Sequence, residues 1–139
     1  MRPIKIYNPH LITYTPLVAA IKFKDLIVCE QGMVTGCLNE VVIQDKNLRI
    51  RGLHASLAYL DEKYPYPPYY PVEPEKRAVI RMMLDELLTS GNVEAYEQSM
   101  PERFFAGSSP TLLDITLVHL APNTELWNDY RNRINNHRR

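Results

Sequence analysis

A chain of 139 residues, 45% hydrophobic and 23% charged, can bury one ordinary core or two very small ones. Sixteen basic and sixteen acidic residues cancel to a formal charge of zero, which excludes a global basic field for sequence-specific nucleic-acid binding, although the end NDYRNRINNHRR is locally basic. No apolar run reaches the roughly 18 residues needed to span a bilayer and no signal-peptide pattern opens the chain, so a cytoplasmic protein without a membrane partner is expected.

In chain order, Ile4 to Tyr7 reads as a short strand rich in β-branched residues, closed by Asn8 and Pro9. Thr15 is the expected N-cap of a first helix, with Pro16 at its first position and Leu17, Val18, Ala20 and Ile21 on its apolar side. Leu26 to Cys29 supplies a second strand, and strand, helix, strand is the start of a thioredoxin-like βαβ unit. Between Glu30 and Glu40, EQGMVTGCLNE holds two glycines and no helical period, which predicts a tight connection. Glu40 to Gln44 and Leu48 to Arg51, joined by Asp45, Lys46 and Asn47, read as a hairpin that completes a four-stranded mixed sheet. The two cysteines, Cys29 and Cys37, fit neither a CxxC redox motif nor a zinc set, and the histidines at 10, 54, 119 and 137 show no paired spacing. Reduced structural thiols, with no metal and no cofactor, are the expectation.

Leu53, Leu57 and Leu60 recur at helical spacing, with Ala55, Ala58 and Tyr59 filling in and Asp61, Glu62 and Lys63 as a polar exit. Pro65 ends that helix. With Pro67, Pro68 and Pro71 it predicts a polyproline rod from which Tyr64, Tyr66, Tyr69 and Tyr70 splay outward. A strong helix follows over Glu75 to Ser90, with Ile80, Met83, Leu84, Leu87 and Leu88 on one face and Gly91-Asn92 as its stop. Val93 to Met100 suggests a shorter helix, and PERFFAGSSP a loop with both phenylalanines turned inward. Thr111 and Asp114 form a capping motif before the apolar helix LLDITLVHL. Leu126, Trp127, Tyr130 and Ile134 give the last helix, Thr124 to Asn136, one buried stripe.

The run YLDEKYPYPPYYPVEPEKR resembles a segment of the stringent starvation protein A family, whose members have the glutathione transferase fold. The match is dense over Ala58 to Arg77, and the Thr111–Asp114 motif resembles the element that opens the central helix of a transferase helical domain. The resemblance implies a thioredoxin-like domain over 1–64, a proline- and tyrosine-rich connecting segment over 65–74, and a reduced helical domain over 75–139. It further implies a non-enzymatic transcription regulator that binds bacterial RNA polymerase holoenzyme and its σ factor. The family's proline-x-proline contact maps onto Pro65, Tyr66 and Pro67, surrounded by Pro68, Tyr70, Lys76 and Arg77, with Tyr66 standing where the family commonly has histidine. A homodimer, or a heterodimer with a related protein, is the implied assembly.

Two alternatives remain. One is a small glutathione-dependent transferase, for which Thr13, Tyr14 and Thr15 are the candidate activating hydroxyls. Against it, Asn39, Glu40 and Val41 occupy the neighbourhood where transferases place a cis-proline, and Gly52 and Leu53 stand where transferases place a Glu/Gln-Ser pair. No catalytic residue is therefore expected. The other is a truncated or mobile-element-encoded competitor of a longer relative.

Overall fold

Ile4 and Ile6 are fully buried while Lys5 between them is exposed, so the first strand, β1 (Ile4–Tyr7), shows the period-two burial its sequence predicts. These positions come from a computed structural model that describes residues 3–34 and 36–137. β1 pairs in parallel with β2 (Val28–Glu30) and antiparallel with β3 (Val42–Asp45), which pairs antiparallel with β4 (Leu48–Arg51). The result is the expected four-stranded mixed sheet, in the order β2-β1-β3-β4. Lys46, at a left-handed φ of 57°, opens the two-residue turn between β3 and β4. Helices α1 (Tyr14–Phe23) and α2 (Leu53–Lys63) pack on the sheet and on each other.

Several boundaries and faces differ from expectation. Helix α1 begins at Tyr14, and Thr13 rather than Thr15 occupies the cap, without a side-chain bond to the helix. First-turn N–H groups have no intrahelical acceptor, so Pro16 is accommodated as well at the third helical position as at the first. β2 starts at Val28 rather than Leu26; the N–H of Ile4 bonds the Ile27 carbonyl at 2.8 Å just before it. On α2 only Ser56, Leu57 and Leu60 are buried, and Ala55 and Ala58 face solvent, so the apolar stripe is narrower than the leucine-alanine pattern suggests. The connection over 31–34 and 36–41 carries no helix, as predicted.

The proline-rich stretch is a succession of bends rather than a polyproline rod, with a cis peptide bond between Tyr66 and Pro67. Its tyrosines do not splay uniformly. Tyr64 donates to Asp45 Oδ2 at 2.7 Å, Tyr69 is fully buried, and Tyr70 is half-buried. Burying the Tyr69 ring and partly burying those of Tyr64 and Tyr70 outweighs the weak preference of isolated proline runs for an extended, solvated backbone.

The chain divides into two compact units, one ending at Pro68 and the other starting at Tyr69. The second holds α3 (Pro74–Ser90), the shorter helix that the sequence suggests, a 3-10 helix at Val93–Ser99, then α4 (Leu112–Leu120) and α5 (Glu125–His137). Its core joins Ile80 and Leu87 of α3, Leu113 and Leu117 of α4, and Trp127, Tyr130 and Ile134 of α5. Phe104 is buried and Phe105 packs against the same cluster, the inward turn that the loop sequence implies. Leu126 is exposed instead of joining the stripe, because it lies about 100° around the helix from Trp127. Gly91, left-handed at φ 66°, caps α3 with its N–H on the Leu87 carbonyl at 2.7 Å.

The predicted capping box opens α4. Asp114 Oδ2 accepts from the Thr111 N–H at 2.8 Å and from the Thr111 hydroxyl at 3.1 Å. Asp114 also accepts from the Tyr130 hydroxyl and, at 3.3 Å, from the Phe105 N–H. One buried carboxylate thus fixes the start of α4, α5 and the loop before them. No helix among the described residues is long and apolar enough to cross a membrane.

Candidate functional site

Tyr14, Thr13 and Thr15 sit at the start of α1, where a hydroxyl could face a thiol substrate. The structure separates their roles. The Tyr14 ring is buried and its hydroxyl donates to Glu30 Oε1 at 2.9 Å. Burial, and then the bond to the Glu30 carboxylate, push the Tyr14 phenol up to about 12, so it holds its proton and commits it to Glu30. Thr13 is half-buried. Thr15, exposed in the first turn, is the hydroxyl of the three that is open to solvent.

Asn8, which the sequence marks only as a strand end, organises the neighbouring loop. It is fully buried at a left-handed φ of 69°, a conformation asparagine tolerates better than most residues. Its Nδ2 donates to the carbonyls of Cys37 and Glu40 at 2.6 and 2.7 Å, and its Oδ1 accepts from the Val34 N–H at 3.0 Å. His10 Nε2 lies 2.7 Å from the Leu38 carbonyl oxygen, a further tie between the two loops. The Asn-Pro pair at 8 and 9 was the available signal: a turn asparagine whose side chain can bond backbone groups.

The entry to α2 has the opposite chemistry from an anion cradle. Gly52 takes φ 95°, where side chains other than hydrogen are strained, and a Cβ there would come within 3.0 Å of Glu40 Oε2. Its N–H bonds the Val41 carbonyl at 2.8 Å. A Glu or Gln at this position would meet both the strained backbone and the Glu40 carboxylate. Among the described residues the cis peptide lies at Tyr66–Pro67, and the bonds around Val41 are trans. Both cysteines are free thiols, and Gln31 Nε2 donates to Cys29 Sγ at 3.1 Å.

The proline-tyrosine residues fall into two sets. In the first unit Pro65, Tyr66 and Pro68 are exposed, Tyr66 at 82%, while Pro67 is half-buried. Pro67 is held from behind: its carbonyl accepts from Lys24 Nζ at 2.9 Å. In the second unit Tyr70 is half-buried against the helical core, with the Arg81 guanidinium 4.7 Å over its ring. Arg77 is turned back onto the Pro71 and Val72 carbonyls at 3.2 and 2.8 Å, and exposed Lys76 pairs with Glu73 at 3.2 Å. Arg77 and Tyr70 therefore brace the chain locally, and Tyr66 is the aromatic ring presented to solvent.

No family model and no curated protein matches the sequence. Solved structures do. A glutathione transferase homologue from Burkholderia, with bound glutathione, superposes over 96% of this chain and 91% of its own, with a TM-score of 0.64 and 16% identity. A maleylacetoacetate isomerase from Anaeromyxobacter dehalogenans covers 96% and 88% with a TM-score of 0.66 and 14% identity. A glutathione S-transferase from the Antarctic clam Laternula elliptica covers 98% and 88%, with a TM-score of 0.64 and 14% identity. The fold is that of the glutathione transferases. In that frame the sheet with α1 and α2 is the thioredoxin-like half, and α3 to α5 form the helical half. At these identities the likeness reaches the fold and stops there.

Proposed function

We propose that this glutathione transferase-fold chain is a non-enzymatic transcription regulator, cytoplasmic and dimeric, that docks on bacterial RNA polymerase holoenzyme and its σ factor. The observation that carries this reading is the exposed Tyr66, flanked by Pro65 and Pro68 on a segment fixed from behind through Pro67. Prolines on either side reduce the entropy lost on binding, and tyrosine offers a large contact area with a polar tip. The sequence resemblance over Ala58 to Arg77 supplies the partner. The remodelled α2 entry supports the absence of transferase chemistry, since Gly52 and Glu40 leave no cradle for a substrate carboxylate. Capture of purified holoenzyme by the immobilised protein, with and without Tyr66→Ala, tests the reading.

A small glutathione-dependent enzyme is the second reading, favoured by the structural neighbours that hold glutathione and by exposed Thr15 at the start of α1. Turnover of a general electrophile that falls on Thr15→Ala would select it.

A further inference from the structure

The strand register places Lys5, Gln44 and Arg49 in one row across β1, β3 and β4, and Tyr7, Val42 and Arg51 in the next usable row. Alternation puts these residues on one face of the sheet and Ile4, Ile6 and Ile43 on the other. The isoleucine face is buried. Lys5, Arg49 and Arg51 are exposed, and the connection over 31–34 and 36–41 contributes no helix to cover them. The two acids of the sheet strands are engaged elsewhere: Glu30 accepts from Tyr14, and Asp45 from Tyr59 and Tyr64. Glu40 stands apart beside Gly52. Arg49 is held in place, with Nε on Gln44 Oε1 at 2.8 Å and its guanidinium 5.2 Å over the Tyr7 ring.

β4 is also an edge, paired on one side only. The bond from Gly52 N–H to the Val41 carbonyl fixes the antiparallel alternation. Leu48 and Ile50 accordingly direct their backbone groups to Asp45 and Ile43, and Arg49 and Arg51 direct theirs off the sheet. Leu48, 49% exposed, and half-buried Ile50 lie on the face opposite the arginines.

We infer that the β4 edge is a docking strand for an extended acidic segment of a partner protein, one in which acidic and apolar residues alternate. A strand added beside Arg49 and Arg51 gains main-chain hydrogen bonds from their outward N–H and C=O groups. Its carboxylates fall on the face that carries exposed Arg51, Arg49 being turned inward onto Gln44 and Tyr7, and its apolar side chains fall next to Leu48 and Ile50 on the other. A second copy of β4 is disfavoured, because pairing would set arginine near arginine. A single-stranded nucleic acid would meet no stacking ring, since Tyr7, the aromatic of this face, is buried beneath Arg49. The inference is independent of the proline-tyrosine reading.

Fluorescence anisotropy tests it with three labelled probes: a short peptide of alternating glutamate and valine, the same composition arranged in two blocks, and a short single-stranded oligonucleotide. The alternating peptide should bind about tenfold tighter than the block peptide, and lose about tenfold on Arg51→Glu, with weaker binding at higher salt. Lys5→Glu provides a second variant that leaves the Arg49–Tyr7 contact in place; it should weaken the peptide less than Arg51→Glu, because β1 is two strands from the edge. Equal binding of the two peptides, tighter binding of the oligonucleotide, or an unchanged affinity in Arg51→Glu would overturn the assignment.

Discussion

The Lys24 ammonium donates to the Pro67 carbonyl oxygen at 2.9 Å from a side chain with no exposed surface. The same Nζ lies 2.9 Å from Asp61 Oδ1. A cation from the end of α1 thus ties the close of α2 to the proline-tyrosine segment. Removing one partner of a buried charge pair is expensive, and the 30% exposure of the Asp61 side chain lets water recover part of the loss. Lys24→Met keeps the aliphatic volume and deletes the charge. It should lower stability by about 2 kcal/mol and speed chymotryptic cleavage near Tyr66, measured by urea unfolding and timed proteolysis. Unchanged cleavage would show that the segment is held by other contacts.

Asp45 closes a second tie, from the sheet to the end of α2. Its Oδ2 accepts from Tyr59 at 2.6 Å and from Tyr64 at 2.7 Å. Burial by itself would raise the carboxyl, but the two tyrosine bonds, with Lys63 and Lys46 nearby, outweigh it and hold Asp45 below the ordinary carboxylate range. A depressed folded-state pKa contributes stability above the unfolded value, and that contribution disappears as pH falls through the folded value. Asp45→Asn should therefore be destabilised by about 2 kcal/mol at neutral pH, with the gap to wild type narrowing below about pH 4. Unfolding midpoints between pH 7 and 2.5 check the sign; a gap that widens on acidification would reverse the assignment.

Much of this architecture is legible from local signals. Alternation at Ile4, Lys5 and Ile6, the glycine stop at Gly91, and the Thr111–Asp114 cap each depend on neighbours a few residues away, and each is found where the sequence puts it. The proline-tyrosine segment is less legible, because its conformation is set by distant partners. Asp45 takes Tyr64, Lys24 takes Pro67, and the Tyr69 carbonyl accepts from the Leu112 N–H at 2.8 Å. No local pattern announces those pairings. Asn8 is hidden for the same reason: its importance comes from Val34, Cys37 and Glu40, far along the chain. Leu126 and Ala58 show the converse limit, since apolar character alone does not decide which side of a helix is buried.

The Tyr14 hydroxyl, bonded to Glu30, leads to an expectation about glutathione. With its proton committed to Glu30, Tyr14 is a packing and hydrogen-bonding residue, and Tyr14→Phe should cost about 1 kcal/mol of stability. Titration calorimetry with glutathione should show no saturable heat, and neither Tyr14→Phe nor Thr15→Ala should alter the background turnover of an electrophilic substrate. Turnover that depends on either hydroxyl would overturn the regulator reading in favour of the enzyme.

The sharpest test of that reading is Tyr66 alone. Replacing Pro65, Tyr66 and Pro67 together would disturb the residue whose carbonyl Lys24 holds, and so would mix loss of contact with loss of structure. Tyr66, at 82% exposure, can be truncated with little loss of packing in the protein itself. An aromatic at the centre of a docking surface contributes about 2 kcal/mol, so Tyr66→Ala should weaken capture of RNA polymerase holoenzyme roughly thirtyfold while its unfolding midpoint stays within the wild-type error. Tyr66→His, which introduces the residue common in the stringent starvation protein A family that the segment resembles, should recover most of that affinity. Lys76→Ala, exposed and paired only with Glu73 among the described residues, should change it by less than about threefold. If Tyr66→Ala is captured as well as wild type, the proline-tyrosine segment is a braced connection and the polymerase-docking surface proposed for it is wrong.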